Sequence, residues 1–289
     1  MIKIGFIGLG VMGGPMAGHL SNSNYEIKVF NRSISKRTNW LNKYKGFIVN
    51  SPLEAAIDSD FIFTCVGNDN DINEIFYSNN GILKGLKRGA TCIDHTTSSA
   101  SIAKQLSKDL ENYNCNFIDA PVSGGQIGAE KGLLSIMCGG DQLVYNKVLP
   151  IISNYGSKIA LIGDVGSGQL AKMVNQICIA GLVQALSEGI NFGINSGIDM
   201  HKVLDVIENG AAGSWQMKNR GQTMLKDEFD FGFAVNWMRK DLSLCLEEAR
   251  KNNSRLPITS LVDQFYSHVQ SIGGERLDTS SLIKILKSN

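Results

Sequence analysis

Gly8-Leu9-Gly10-Val11-Met12-Gly13 follows the apolar run Ile4–Ile7 and precedes a helix-compatible stretch, Met16–Leu20. Strand, glycine turn and helix in that order give each glycine a physical task. Gly8 permits the tight turn, Gly10 lets a pyrophosphate approach bare backbone, and Gly13 lets the helix lie close on the strand. The helix N-terminus presents N–H groups and a partial positive charge to the phosphates. Glycine-rich turns are common, but one set between a strand and a helix reads as a dinucleotide site formed by Gly8, Leu9, Gly10, Val11, Met12 and Gly13.

Outward from that turn, short β-rich runs alternate with helical ones as far as residue 163. Glu26–Phe30, Phe47–Val49, Phe61–Val66, Thr91–Asp94, Asn116–Ala120, Leu134–Cys138 and Lys158–Ile162 read as strands. This alternation predicts an α/β domain of Rossmann type, a doubly wound sheet, over residues 1–163. After the Gly163–Gly168 punctuation the texture changes, and Gln169–Asn195 is one long helical pattern without proline. Asp199 has the character of an N-cap, and Val235, Met238, Leu242, Cys245, Leu246 and Ala249 recur at helical spacing. The expectation is a C-terminal all-α domain over 164–289, serving substrate binding and oligomerisation.

The totals narrow the classes of partner. Lys and Arg number 28 against 27 Asp and Glu, so a net charge of +1 supplies no general field for nucleic acid or an acidic membrane. A small-molecule partner is expected. Six cysteines are spread singly, with no CxxC pair and no cysteine–histidine cluster, which points to buried thiols and to no metal centre. The chain opens directly into its first strand, and no uninterrupted apolar run reaches membrane-spanning length, so a cytoplasmic protein is expected.

An acidic side chain about 20 residues past such a glycine turn usually holds the ribose hydroxyl of NAD. Here Asn31, Arg32 and Ser33 stand at that position. A carboxylate repels a 2′-phosphate, whereas an amide, a guanidinium and a hydroxyl hydrogen-bond it. NADP is therefore preferred, with NAD as the alternative; a merely polar turn is the competing reading of the same three residues.

Two segments point to a reaction. Asp119-Ala120-Pro121-Val122-Ser123-Gly124-Gly125 ends a strand in a proline turn, then offers a hydroxyl and two glycines whose amides can cradle a carboxylate; an ordinary βα loop uses the same residues. Lys172, Asn175 and Gln176 share one face of the long helix at i, i+3 and i+4. A helix lysine is most often a solvated charge. One held at an interdomain cleft can instead donate the proton that a developing alkoxide requires.

With these segments in hand, the chain resembles the β-hydroxyacid dehydrogenase family over essentially its full length. That family includes 3-hydroxyisobutyrate dehydrogenases and tartronate semialdehyde and succinic semialdehyde (glyoxylate) reductases. The resemblance rests on four ordered motifs: residues 8–17, residues 119–129, Gly166-Ser167-Gly168 leading to Lys172-Met173-Val174-Asn175, and Lys240-Asp241-Leu242. It implies that Lys172 is the catalytic lysine, that Asn175 orients substrate, and that Ser123, Gly124 and Gly125 hold its carboxylate. It also implies that Cys65 and Val66, Thr97 and Lys240 contact the cofactor, and that the protein is a homodimer or homotetramer. Thr97 as a helix N-cap and Lys240 as a surface charge are the competing readings. Trp215 either walls the substrate pocket or packs in a core. His19, Gly67 and Gln176 depart from the family pattern, where Asn, Pro and a second Asn are frequent. The activity implied is interconversion of a short 3-hydroxy acid and its semialdehyde; a non-catalytic NADP-binding module is the alternative. The absence of a His-Asn pair after Lys172 sets 6-phosphogluconate dehydrogenase aside, and the presence of Lys172 argues against imine reductases.

Overall fold

The computed structural model describes residues 1–286. The chain forms two compact units, Met1–Lys172 and Met173–Asn289.

The first unit is built on a nine-stranded sheet: β1 (Lys3–Ile7), β2 (Glu26–Phe30), β3 (Phe47–Ile48), β4 (Phe61–Thr64), β5 (Thr91–Asp94), β6 (Asn116–Asp119), β7 (Val122–Ser123), β8 (Leu134–Gly139) and β9 (Gly156–Gly163). The order is β3-β2-β1-β4-β5-β6-β8-β7, with β9 alongside β8. Strands β1 to β6 run parallel, β8 is antiparallel to β6 and β7, and β9 is parallel to β8. The connecting helices are α1 (Gly13–Ser21), α2 (Ile34–Leu41), α3 (Pro52–Ala56), α4 (Asp69–Tyr77), α5 (Ala100–Glu111), α6 (Gly125–Lys131) and α7 (Gln142–Ile152).

Side-chain alternation along each strand explains why both faces are covered. Ile4 and Phe6 of β1, Phe63 of β4, Ile93 of β5 and Ile118 of β6 join one core with Met16, Trp40 and Val148. Ile7, Ile62, Cys92 and Phe117 point the other way, into a second core with Ile72, Phe76, Ile102 and Leu106. The doubly wound sheet is thus as expected, with an added antiparallel segment. Strand β7 is new: two residues after a proline are too few to show a period. Strand β4 stops at Thr64, so Cys65 and Val66 lie in the loop beyond it, and α1 begins at Gly13, earlier than the Met16 read from sequence.

The second unit is helical: α8 (Ser167–Asn195), which begins in the first unit, then α9 (Met200–Ile207), α10 (Trp215–Leu225), α11 (Val235–Asn252) and α12 (Pro257–Ser271). Asp199 caps α9 by accepting from the N–H groups of His201 (3.1 Å) and Lys202 (3.3 Å). Val235, Met238 and Leu242 pack with Ala180, Val183, Val262 and Tyr266, and Leu186 and Ile190 pack with Leu204, Met217 and Met224. Leu246, read as part of the buried stripe of α11, is half-buried.

Two sequence expectations are corrected here. Helix α8 is long and apolar enough, by length and composition, to cross a membrane. Counting uninterrupted apolar runs missed it, because Gly, Ser, Asn and Gln break the run without lowering the mean hydropathy far. Its Ala180, Val183, Leu186 and Ile190 are core residues of the second unit. The cysteines are free thiols but not uniformly buried: Cys178 is exposed and Cys65 half-buried.

Candidate active site

The sheet order places β1 next to both β2 and β4, so the chain leaves β1 for opposite sides at that point. In open α/β sheets this is where a crevice forms beyond the carboxyl ends of the strands. The glycine turn occupies that crevice. Gly8 has φ +102°, a conformation that suits glycine, and its N–H donates to the Phe30 carbonyl at 2.9 Å. A Cβ on Gly8 would collide with the Cys65 carbonyl, and one on Gly13 with the Gly8 carbonyl. A Cβ on Gly10 would meet nothing within 4 Å. Packing of the turn itself therefore explains two of the three glycines, and Gly10 is the one that faces open space. The first turn of α1, Gly13-Gly14-Pro15-Met16, carries no acidic side chain, and its N-cap is Met12, whose thioether is a poor partner for amides. This end of α1 fits a pyrophosphate.

Asn31 has a defined place. Its Oδ1 accepts the Leu9 N–H at 2.9 Å, tying the end of β2 to the glycine turn, while Nδ2 faces the Ser33 carbonyl at 3.5 Å. Arg32 is largely exposed and reaches two carboxylates on α4, Asp71 at 3.1 Å and Glu74 at 3.5 Å. Ser33 is the N-cap residue of α2 without a capping side-chain bond, its Oγ lying 2.8 Å from that of Ser35.

Behind the loops lies a buried polar row that sequence reasoning missed. Thr64, Asp94 and Asp119 are in register across β4, β5 and β6, so their side chains share one face of the sheet. Thr64 Oγ1 donates to Asp94 Oδ1 (2.7 Å), which also accepts the Thr96 N–H (3.0 Å). Thr96 Oγ1 in turn accepts the Val66 N–H at 3.0 Å, which fixes the loop after β4. Asp119 Oδ1 accepts the Gly166 N–H (2.7 Å) and Oδ2 the Gln169 N–H (2.9 Å), at the start of α8. Gln169 completes the lattice: its Oε1 accepts the Ser98 N–H (3.0 Å) and its Nε2 donates to the Thr96 carbonyl (2.8 Å). Burial pushes both carboxyls up to about 6, against hydrogen bonds that favour the charged form. The available signal was an aspartate ending each of two strands directly after a pair of apolar residues.

Thr97 is not the cap of α5, because Ser99 is, accepting the Ile102 N–H at 3.1 Å. Ser123 ends β7, and Gly124 and Gly125 follow it with φ +133° and +61°; a Cβ on Gly125 would meet nothing within 4 Å. His19 packs structurally, its Nε2 lying 3.0 Å from the Ala129 carbonyl. Lys172 lies on α8 and is 8% exposed, so it is not a solvated helix charge.

In the second unit Asn175, Gln176 and Lys240 are brought together around Asp241. Asn175 Nδ2 donates to Gln176 Oε1 (2.7 Å), Gln176 Nε2 donates to Asp241 Oδ2 (2.6 Å), and Lys240 Nζ pairs with Asp241 Oδ1 (2.8 Å). Asp241 and Gln176 are buried, and Lys240 is largely so. Trp215 opens α10, is 50% exposed and stacks on the Arg220 guanidinium at 5.0 Å, which removes its core-packing reading. Arg220 also lies over Phe231 (4.7 Å) and is anchored by Asp278 (3.1 Å).

A Rossmann-type sheet with this glycine turn, followed by a helix that carries a buried lysine in its second turn and then by a helical unit, defines an oxidoreductase that uses a nicotinamide dinucleotide. Residues 3–163 match the family model for the NAD binding domain of 6-phosphogluconate dehydrogenase, and residues 166–286 that of NADP-dependent 3-hydroxyisobutyrate dehydrogenase. The chain is 52% identical to an uncharacterized oxidoreductase of Shewanella frigidimarina, over 100% of this chain and 99% of that one. It is 34% identical to the 2-hydroxy-3-oxopropionate reductase of Escherichia coli, covering 99% and 97%. Among solved structures, the 3-hydroxyisobutyrate dehydrogenase of Mycobacterium tuberculosis superposes with a TM-score of 0.90 at 25% identity, over 100% of both chains. The chain belongs to the β-hydroxyacid dehydrogenase family. It is an NAD(P)-dependent oxidoreductase of the hydroxyacid–semialdehyde class.

Proposed function

We propose that this protein interconverts a short 3-hydroxy acid and its semialdehyde, with NADP preferred over NAD and Lys172 handling the proton. The observation that carries the reading is the burial of Lys172 on a helix whose first turn is locked to the cofactor-side loops. The glycine turn and the N-terminus of α1 would hold the pyrophosphate, Arg32 and Ser33 the 2′-phosphate, and the loop at Cys65–Val66 together with Thr97 and Lys240 the remainder. A bound nicotinamide would supply hydride chemistry at the substrate carbon.

The residues of the chain do the rest. Ser123, Gly124 and Gly125 receive the substrate carboxylate on a hydroxyl and backbone amides, and Asn175 orients the hydroxyl or carbonyl that reacts. Lys172 gives a proton to the oxygen as a carbonyl is reduced and takes it back in the reverse direction. Discrimination at the C2 substituent, which is where 3-hydroxyisobutyrate, glycerate and unsubstituted acids differ, falls to Trp215, stacked on Arg220. Exposed apolar side chains on α8 and α12, including Leu182, Phe192, Ile258 and Leu261, support self-association through the helical unit.

The test is absorbance at the reduced-nicotinamide band with a panel of semialdehydes and 3-hydroxy acids, for the wild type and Lys172→Ala. Turnover on at least one pair is expected, with kcat reduced about 10²- to 10⁴-fold in the variant and dinucleotide affinity little changed. Tight NADPH binding without turnover on any of them would make the protein a binding module. Substantial activity in Lys172→Ala would remove the lysine from its role.

A further inference from the structure

The hydrogen bonds at the carboxyl edge of the sheet form one continuous path. Val66 N–H is held by Thr96, the Thr96 carbonyl by Gln169, and the first turn of α8, which includes Gln169, by Asp119. Every one of these side chains is buried, and Asp119 and Gln169 are fully so. The path therefore joins the loop after β4 to the beginning of the helix that carries Lys172 three residues beyond Gln169.

A carboxylate accepting N–H groups at the first turn both satisfies orphan donors and fixes where the helix axis starts. Asp119 does this with both oxygens, one to Gly166 and one to Gln169. The sheet leaves that carboxylate little freedom, since β6 is hydrogen-bonded between β5 and β8. Gln169 adds the second restraint, binding α8 to Thr96 and Ser98 in the segment between β5 and α5. The first turn of α8 is thereby fixed against both axial slip and rotation about its axis, the two motions that would move a side chain one turn further on.

We propose that Asp119 and Gln169 are positioning residues that set the register of Lys172 against the cofactor-side loops, and that Asp119 is not a ligand of the substrate. This rests on Lys172 being the proton donor. Neither residue touches the reacting atoms. Their effect is on where the amine stands when the proton moves, and misplacement on the scale of an ångström costs about 10²-fold in rate.

The experiment compares Asp119→Asn, Gln169→Met and Lys172→Ala in the full-length protein, using NADPH and the semialdehyde turned over fastest by the wild type. Asp119→Asn replaces one acceptor by a donor facing N–H groups; Gln169→Met keeps the volume and loses both bonds. Each is expected to lower kcat about tenfold to a hundredfold while the NADPH dissociation constant changes less than about threefold. The solvent deuterium effect on kcat is expected to rise, because a misplaced amine makes proton transfer slower relative to the other steps; a general loss of stability would not do this. Amide exchange is expected to quicken at residues 166–172. If one variant fails to unfold cooperatively, the other decides. Wild-type kcat and isotope effect in either folded variant, with Lys172→Ala inactive, would overturn the positioning role. Activity retained in Lys172→Ala, or absence of turnover by the wild type, would instead refute the proposed function.

Discussion

Arg32 shows how a residue can be suited to a ligand and yet be held by the protein. Its guanidinium faces the carboxylates of Asp71 and Glu74, and Asp71 is itself fixed because its Oδ2 accepts the Gly67 N–H at 3.0 Å. Exposed ion pairs of this kind are weak, on the order of 1 kcal/mol or less, so a dianionic 2′-phosphate can compete for the cation. Two opposite outcomes are expected for cofactor preference. Arg32→Ala should raise KM for NADPH about tenfold and leave that for NADH nearly unchanged, whereas Glu74→Gln should lower KM for NADPH by a few-fold, since it frees the guanidinium. Initial rates with both cofactors check this, and equal effects on NADPH and NADH in Arg32→Ala would remove that side chain from 2′-phosphate recognition. Asn31 belongs to a different category. Its bond to the Leu9 N–H makes it a brace of the glycine turn, a role invisible in a motif that names only the 2′-phosphate.

Among elements, the strand–turn–helix unit of β1 and α1 was the most legible, because its signal is local: a short apolar run, glycines at fixed offsets and a helix-forming run. The long α8 was legible for the same reason, through the lack of proline over many turns. Strand β7, of two residues, offered no period to read. The lattice around Asp119 and Gln169 was illegible for another reason: its partners lie 47, 50, 71 and 73 residues apart, and no local pattern announces a pairing made by topology. The glycine turn also supports a test that separates packing from ligand binding. Gly13→Ala forces a Cβ onto the Gly8 carbonyl and should cost about 1–3 kcal/mol in urea unfolding. Gly10→Ala meets no atom of the protein, so stability should stay within about 0.5 kcal/mol while dinucleotide affinity falls about tenfold or more. Undiminished affinity in Gly10→Ala would place the pyrophosphate elsewhere.

At the scale of the whole molecule, stability depends on buried titratable groups that pull in opposite directions. His95 is buried, with Nδ1 2.6 Å from the Ala120 carbonyl, Nε2 2.8 Å from the Tyr155 hydroxyl and its ring stacked on Phe63. Burial pushes its pKa down to about 4. Between the ordinary value near 6.5 and that lower one, the unfolded chain takes up a proton that the folded chain refuses, so stability from this group is lost as pH falls, by up to about 1.4 kcal/mol per pH unit. Asp94 and Asp119, raised to about 6, act the other way and weaken the fold as pH rises through the range from about 4 to 6. The stability advantage of the wild type over His95→Gln in urea unfolding should therefore shrink between about pH 7 and pH 5; a constant difference would mean that the imidazole takes up its proton in the fold as readily as in the unfolded chain. The Asp119 carboxylate has one further consequence. Gly139 and Gly168 crowd it so closely that a methyl group at either would overlap its oxygens. Such a methyl would also strike main chain, the Gly168 nitrogen and Asp164 carbonyl at position 139 and the Met137 carbonyl at position 168, so shortening the acid would not make room for it and both glycines are closed to enlargement whatever stands at 119.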